Sequence, residues 1–203
     1  MNNNRIITLP EAERILQFAK RIYPLLNGVY VEYGDVFAYY PNEFKITIPV
    51  EFNDERIGMK ILKHVNEEFG ATFEYNLREM SIQALLHECG HHIDFEGKIF
   101  TRQIDEYMMY DDYNRHMYEE IIQDFNNRAR EFVEQLDEYE ASDERDEEIE
   151  FALEEKRILL EFEDDKLDEL YRTIPTEYAA DEFSARFFMT YLRPYKKCNY
   201  NVI

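Results

Sequence analysis

Five consecutive residues, His87-Glu88-Cys89-Gly90-His91, carry the clearest chemistry in the chain. On a helix, side chains four positions apart lie on one face, so His87 and His91 can offer two imidazoles to a single point with Glu88 beside them. This is the H-E-x-x-H pattern of zinc-dependent hydrolysis, in which the imidazoles hold the ion and the glutamate acts as general base. Core histidines packed for shape alone are the bland alternative. The intervening Glu88 and the further imidazole of His92 weigh against it.

A catalytic zinc normally takes a third protein ligand and leaves its fourth position to water. One zincin class supplies a histidine six residues after the second motif histidine, following a glycine three residues after it; here those positions are Gly97 and Asp94, which excludes that class. The other solution is a glutamate on a separate helix. The segment Thr176-Glu177-Tyr178-Ala179-Ala180-Asp181 suits it: Glu177 can bind the ion while Asp181, four residues on, accepts the outer N–H of a ligand histidine. Its alanines allow close helix contact. Glu120 with Asp124 is the rival pair, nearer the motif in sequence.

The elements that must position these residues are readable in order. Thr8-Leu9-Pro10-Glu11 combines a cap, an early proline and a capping-box glutamate, so a helix starts there, with Gly28 as its expected stop. Three β-rich runs follow, Val29–Tyr33, Val36–Tyr40 and Phe44–Val50, which predict a small antiparallel meander. Pro49 marks the third run as a sheet edge to which an extended substrate could add as a further strand. Asn53 opens a helix that Gly70 closes, and Thr72–Tyr75 reads as a short strand. Asn76, with Glu79 three residues on, caps the motif helix, and Gly97 is placed to end it. Residues 103–172 read as an acidic helical hairpin inserted in a single domain of residues 1–203, with a stripe through Tyr118, Ile122, Phe125, Phe132 and Leu136. Pro175 starts the last important helix, which runs to about Leu192. The expected fold class is α+β, mostly helical.

Taken together, the meander, the LLHECGHH helix and the later EYAADEFSARF segment resemble the ImmA/IrrE family of gluzincin-type metallopeptidases, found in bacteria, prophages and mobile elements. The resemblance covers residues 29–97 and 174–190. It implies a zincin-like core with His87, His91 and Glu177 as zinc ligands and Glu88 as general base. Cys89 stands where the family usually has an aliphatic residue, and the separation from His91 to Glu177 (177 − 91 = 86 positions) is longer than the family needs. No helix-turn-helix segment accompanies the peptidase-like regions.

Composition narrows the alternatives. With 23 basic against 44 acidic residues the chain carries a net charge of −21, which argues against a surface that grips a nucleic-acid backbone. Between Asp137 and Arg172 alone, 5 basic and 17 acidic residues give −12. A solvated helical face accounts for that run; a docking surface for a basic protein partner is the sharper reading. Two cysteines make no disulfide framework, and neither a signal-peptide core nor a membrane-length apolar run is present, so a cytoplasmic protein is expected. The leading expectation is a zinc metalloendopeptidase acting on a protein or peptide. Its rivals are a non-catalytic zincin scaffold and an acidic mimic of nucleic acid, both using the hairpin. His116, Tyr178 and Tyr191 are the candidates for stabilising the oxyanion.

Overall fold

Thr8 and Glu11 open helix α1 (Leu9–Ile22): the Thr8 N–H and Oγ1 both donate to Glu11 Oε2, at 2.8 and 2.9 Å. Ala12, Ile15, Leu16 and Ala19 recur at helical spacing and are its buried stripe. The helix stops at Ile22 rather than running on to Gly28. Pro24 lacks an N–H and disfavours helical backbone at the residue before it, so Tyr23 turns extended (φ −119°, ψ 90°) and Pro24–Gly28 forms a separate 3₁₀ turn.

The computed structural model of the chain describes residues 5–52, 55–100, 119, 120, 123, 171–198 and 200. The chain divides into two units, Met1–Tyr110 with Pro175–Ile203, and Asp111–Ile174. The predicted acidic hairpin of residues 103–172 falls almost wholly outside the described residues. In the second unit, Tyr171 and Arg172 are helical, and the Ile174 N–H bonds to the Tyr171 carbonyl at 3.1 Å.

The first unit is α+β. Its sheet consists of β1 (Tyr30–Tyr33), β2 (Ala38–Tyr40) and β3 (Lys45–Ile48) in the order β1-β3-β2. The antiparallel meander is therefore incorrect: β3 pairs parallel with β1, Val31 opposite Ile46, and antiparallel with β2, Tyr39 opposite Ile46. The chain leaving β1 crosses the far end of β3, where the Gly34 N–H bonds to the Ile48 carbonyl at 3.0 Å and Thr47 Oγ1 to the Val36 carbonyl at 2.8 Å. Nor is the third run an edge. Ile46, Thr47 and Ile48 are all buried, the pattern of a central strand, and Pro49 lies just past the ladder, where its missing N–H costs nothing. Among the described strands the edges are β1 and β2.

Helix α2 (Glu55–Phe69) ends as expected at Gly70, whose φ of +63° suits a residue without Cβ. Thr72–Tyr75 forms no strand. Instead the Asn66 amide accepts the Phe73 N–H and donates to the Phe73 carbonyl, both at 3.0 Å, and so does the work of a strand partner. Helix α3 (Leu77–Phe100) is capped by Asn76 Oδ1, which accepts the Glu79 N–H at 3.0 Å. Glu79 does not return to the cap; it accepts the Glu74 N–H at 2.8 Å, the Tyr200 hydroxyl at 2.6 Å and the Lys196 ammonium at 2.8 Å. Gly97 lies inside this helix and does not stop it, because a glycine with ordinary helical backbone only weakens a helix that tertiary packing holds.

The core gathers around α3. Met80, Ile82, Leu85, Leu86 and Cys89 face Ile15, Leu16, Leu62, Val65 and the inner sheet residues Val31, Ile46 and Ile48 in one cluster. On the same helix Gln83, His87, Glu88, His91 and His92 are also buried. A helix buried on its polar as well as its apolar side must find partners for those polar groups. For Gln83, His87 and His91 they come from the helix α4 (Pro175–Phe187), which makes the most extensive inter-element contact among the described elements, with α3. A π-helical turn (Phe188–Leu192) and a 3₁₀ turn (Arg193–Cys198) continue it, and Phe188 stacks on Phe73 with ring centroids 3.8 Å apart.

Candidate metal centre

Gln83, His87 and His91 recur every four residues along α3, and Glu177 and Asp181 are four apart on α4, so two polar stripes meet where the helices touch. The approach is close because small residues line it. A Cβ built on Gly90 would lie 2.7 Å from Ala180 Cα and 2.9 Å from its carbonyl oxygen, distances no side chain tolerates. Glycine at position 90 is what lets α4 bring its carboxylates to the histidines.

Ligand atoms of His87, His91 and Glu177 all lie within 4.8 Å of one another, close enough to bind one metal ion. His87 Nε2 is 3.2 Å from Glu177 Oε2, and His91 Nε2 is 3.4 Å from Glu177 Oε1. Bonds of about 2.0–2.1 Å to a tetrahedral ion separate neighbouring ligand atoms by roughly 3.3–3.4 Å, so this donor set fits a small divalent cation. The two imidazoles stand edge to face, 4.6 Å between centroids at 88°.

On its far side, His87 Nδ1 is 2.7 Å from Asp181 Oδ1, which also accepts Gln83 Nε2 at 3.3 Å. A carboxylate can only accept, so Nδ1 carries the proton and Nε2 is left for the ion. Burial works against charge on this ring, but the hydrogen bonds to Asp181 and Glu177 outweigh it and push His87 up to about 10. An ion taken up at Nε2 would therefore displace a proton here. Asp181 itself is fully buried.

Of the residues expected from sequence, His87, His91, Glu177 and Asp181 are brought together, and Glu88 is buried beside them on α3. Glu120 is an exposed helical residue, and its companion Asp124, like His116, lies outside the described residues. Tyr178 is 42% exposed and packs on Phe69, while Tyr191 sits in an aromatic cluster with Tyr23 and Phe187. Three contributors escape a sequence reading. Gln83 was visible only as one more step of the four-residue repeat, and Gly90 only as a small residue within the motif.

The third is His92. Its Nε2 is 2.9 Å from the Leu25 carbonyl, which can only accept, and its Nδ1 is 2.6 Å from the Tyr39 hydroxyl on β2. Burial holds this imidazole below its ordinary range, against the opposing Leu25 hydrogen bond and the charge of Glu96; with Nε2–H given to the Leu25 carbonyl, Nδ1 of the neutral ring accepts a hydrogen bond from the Tyr39 hydroxyl. Its partner on β2 is distant in sequence, so nothing in the local pattern signals it.

No helix among the described residues is long and apolar enough to cross a membrane. Compared with known proteins, the chain matches no family model, no curated protein and no solved structure.

Proposed function

We propose that the chain is a zinc-dependent metallopeptidase that hydrolyses peptide bonds of a protein or peptide substrate. The observation that supports this best is the convergence of His87, His91 and Glu177 on one point, on the helix that also carries Glu88. It is the activity that the ImmA/IrrE resemblance implies, on a zincin-like core. Two imidazoles and one carboxylate suit zinc, which accepts mixed nitrogen and oxygen donors. When bound, the ion supplies Lewis acidity to the scissile carbonyl and acidifies a water.

The protein's own groups do the rest. Glu88 takes the proton of the attacking water and hands it to the leaving amine. Asp181 holds His87 in the tautomer that presents Nε2, and Gly90 sets the helix spacing that brings Glu177 into reach. Strand β2, an edge of the sheet among the described residues, is where an extended substrate would add.

The test is elemental analysis of purified wild type beside Glu177→Ala and Glu120→Ala, followed by cleavage of labelled β-casein by wild type and Glu88→Gln. About one zinc per chain, lost only in Glu177→Ala, with cleavage reduced at least about a hundredfold in a folded Glu88→Gln, is the expected result. A folded wild type that takes up no metal, or a Glu88→Gln variant as active as wild type, refutes the reading.

A further inference from the structure

Strand β2 meets the metal-ligand helix at two rings of that helix, Phe95, which packs on Tyr39 with centroids 6.4 Å apart, and His92, the one that also hydrogen-bonds to it. His92, next in sequence to His91, is 2% exposed and makes two polar contacts of opposite sense. Its Nε2–H donates to the Leu25 carbonyl in the 3₁₀ turn, and its Nδ1 accepts from the Tyr39 hydroxyl in the middle of β2. Tyr39 and Phe44 also meet this imidazole edge on, at 77° and 83°, each 5.4 Å between centroids. The ring, carried by the metal-ligand helix, thus reaches the 3₁₀ turn on one side and the edge strand on the other.

We propose that His92 and Tyr39 form a positioning pair that sets the height of edge strand β2 over the metal-ligand helix, and so governs how tightly an extended polypeptide seats on that edge. The carbonyl on one side fixes the tautomer, and the tautomer makes Nδ1 an acceptor that only a donor such as the Tyr39 O–H satisfies. The imidazole is a rigid spacer between the two. Neither residue touches the reacting atoms in this scheme; their effect on turnover runs through β2. The substrate part of the proposal rests on the metallopeptidase reading, whereas the brace does not.

Half-replacements separate the two arms in the full-length, zinc-saturated protein. His92→Asn keeps an amide at the Nδ1 position for Tyr39 and loses Leu25; His92→Gln keeps a donor at the Nε2 position and loses Tyr39; Tyr39→Phe removes only the hydroxyl. Amide hydrogen exchange is read for residues 38–40 and for the N–H groups of residues 25–28 in the 24–28 turn. Losing one buried hydrogen bond corresponds to about tenfold faster exchange in the segment it held. His92→Gln and Tyr39→Phe are expected to loosen 38–40 and spare 24–28, and His92→Asn to do the reverse. Equal loosening of both segments in all three variants, or no change in any, overturns the brace.

With labelled β-casein as probe, Tyr39→Phe is expected to raise KM several-fold while kcat stays within about twofold. A fall in kcat at unchanged KM overturns the substrate role. A zinc-bound wild type no better than Glu88→Gln refutes the metallopeptidase reading and the substrate role with it, and the exchange pattern still decides the brace.

Discussion

Gly90 meets the backbone of Ala180 with no room for a methyl group: a Cβ at position 90 would stand 2.7 Å from Ala180 Cα. Helix spacing and the geometry of the candidate site are therefore one variable. Gly90→Ala forces α3 and α4 apart and moves Glu177 away from both imidazoles, because the obstructing atoms belong to backbone and cannot rotate aside. The expected result is about 1–3 kcal/mol of destabilisation together with weaker metal binding. Thermal melts of the metal-free variant and a competition titration with a chromophoric chelator measure the two effects separately; unchanged affinity would uncouple spacing from the site.

Asp181→Asn tests the outer contact of His87. The amide can present its NH₂ to Nδ1, which favours the tautomer that protonates Nε2, the atom needed for the ion. Metal affinity is expected to fall about 10- to 100-fold with the fold retained. Circular dichroism checks the fold, and the chelator titration gives the affinity; a variant that binds metal like wild type would make Asp181 a structural residue only.

The residues of the candidate metal site were legible because they repeat locally: His87 and His91, like Glu177 and Asp181, are four positions apart, and helical period alone places each pair on one face. The caps at Thr8, Asn76 and Gly70 were legible for the same reason. What failed was non-local. Strand order depends on which strand buries both faces, and the chain's passage from β1 across β3 to β2 has no local signature. Gly97 resembles a helix stop, but packing carries α3 past it to Phe100. Asn66 replaces a strand partner for Phe73 from seven residues away, a substitution that composition does not announce.

Glu11 ties the amino-terminal segment to the motif helix and should make stability depend on pH. Its carboxylate receives Arg5 at 2.7 and 2.9 Å and Arg78 at 2.9 Å. Burial raises its pKa, but the hydrogen bonds from Arg5, Thr8 and Arg78 together overcome this and hold it far below the ordinary value of 4.5. A carboxylate depressed on folding contributes stability that is complete above its unfolded pKa and is lost as pH falls toward the folded one. The wild type is therefore expected to lose stability progressively below about pH 4.5 through this group. Glu11→Gln should remove that part of the slope and cost about 1–3 kcal/mol at neutral pH, since the guanidinium of Arg78 loses its charged hydrogen bond to this carboxylate. Urea melts between pH 3 and 7 compare the two; parallel pH profiles would clear Glu11 of the effect.

Cys89 lies inside the motif, yet its surroundings make it part of the core. It is fully buried in the cluster with Leu85, Leu86 and the inner sheet, and it is not in the group of ligand atoms that converges on Glu177. Burial above all, with the neighbouring Glu88 charge and against the weaker pull of Lys20, pushes its thiol up to about 12. A thiol so held is neither a nucleophile nor a soft ligand at neutral pH. Cys89→Ala should keep about one zinc per chain and full activity, with only the modest loss of stability that a small core truncation brings, about 1–2 kcal/mol. In a Cys198→Ser background, a thiol reagent should modify Cys89 no faster than the protein opens, and the rate should rise with denaturant. Loss of zinc from Cys89→Ala would instead put the sulfur among the ligands, and rapid labelling of the native state would place it at the surface.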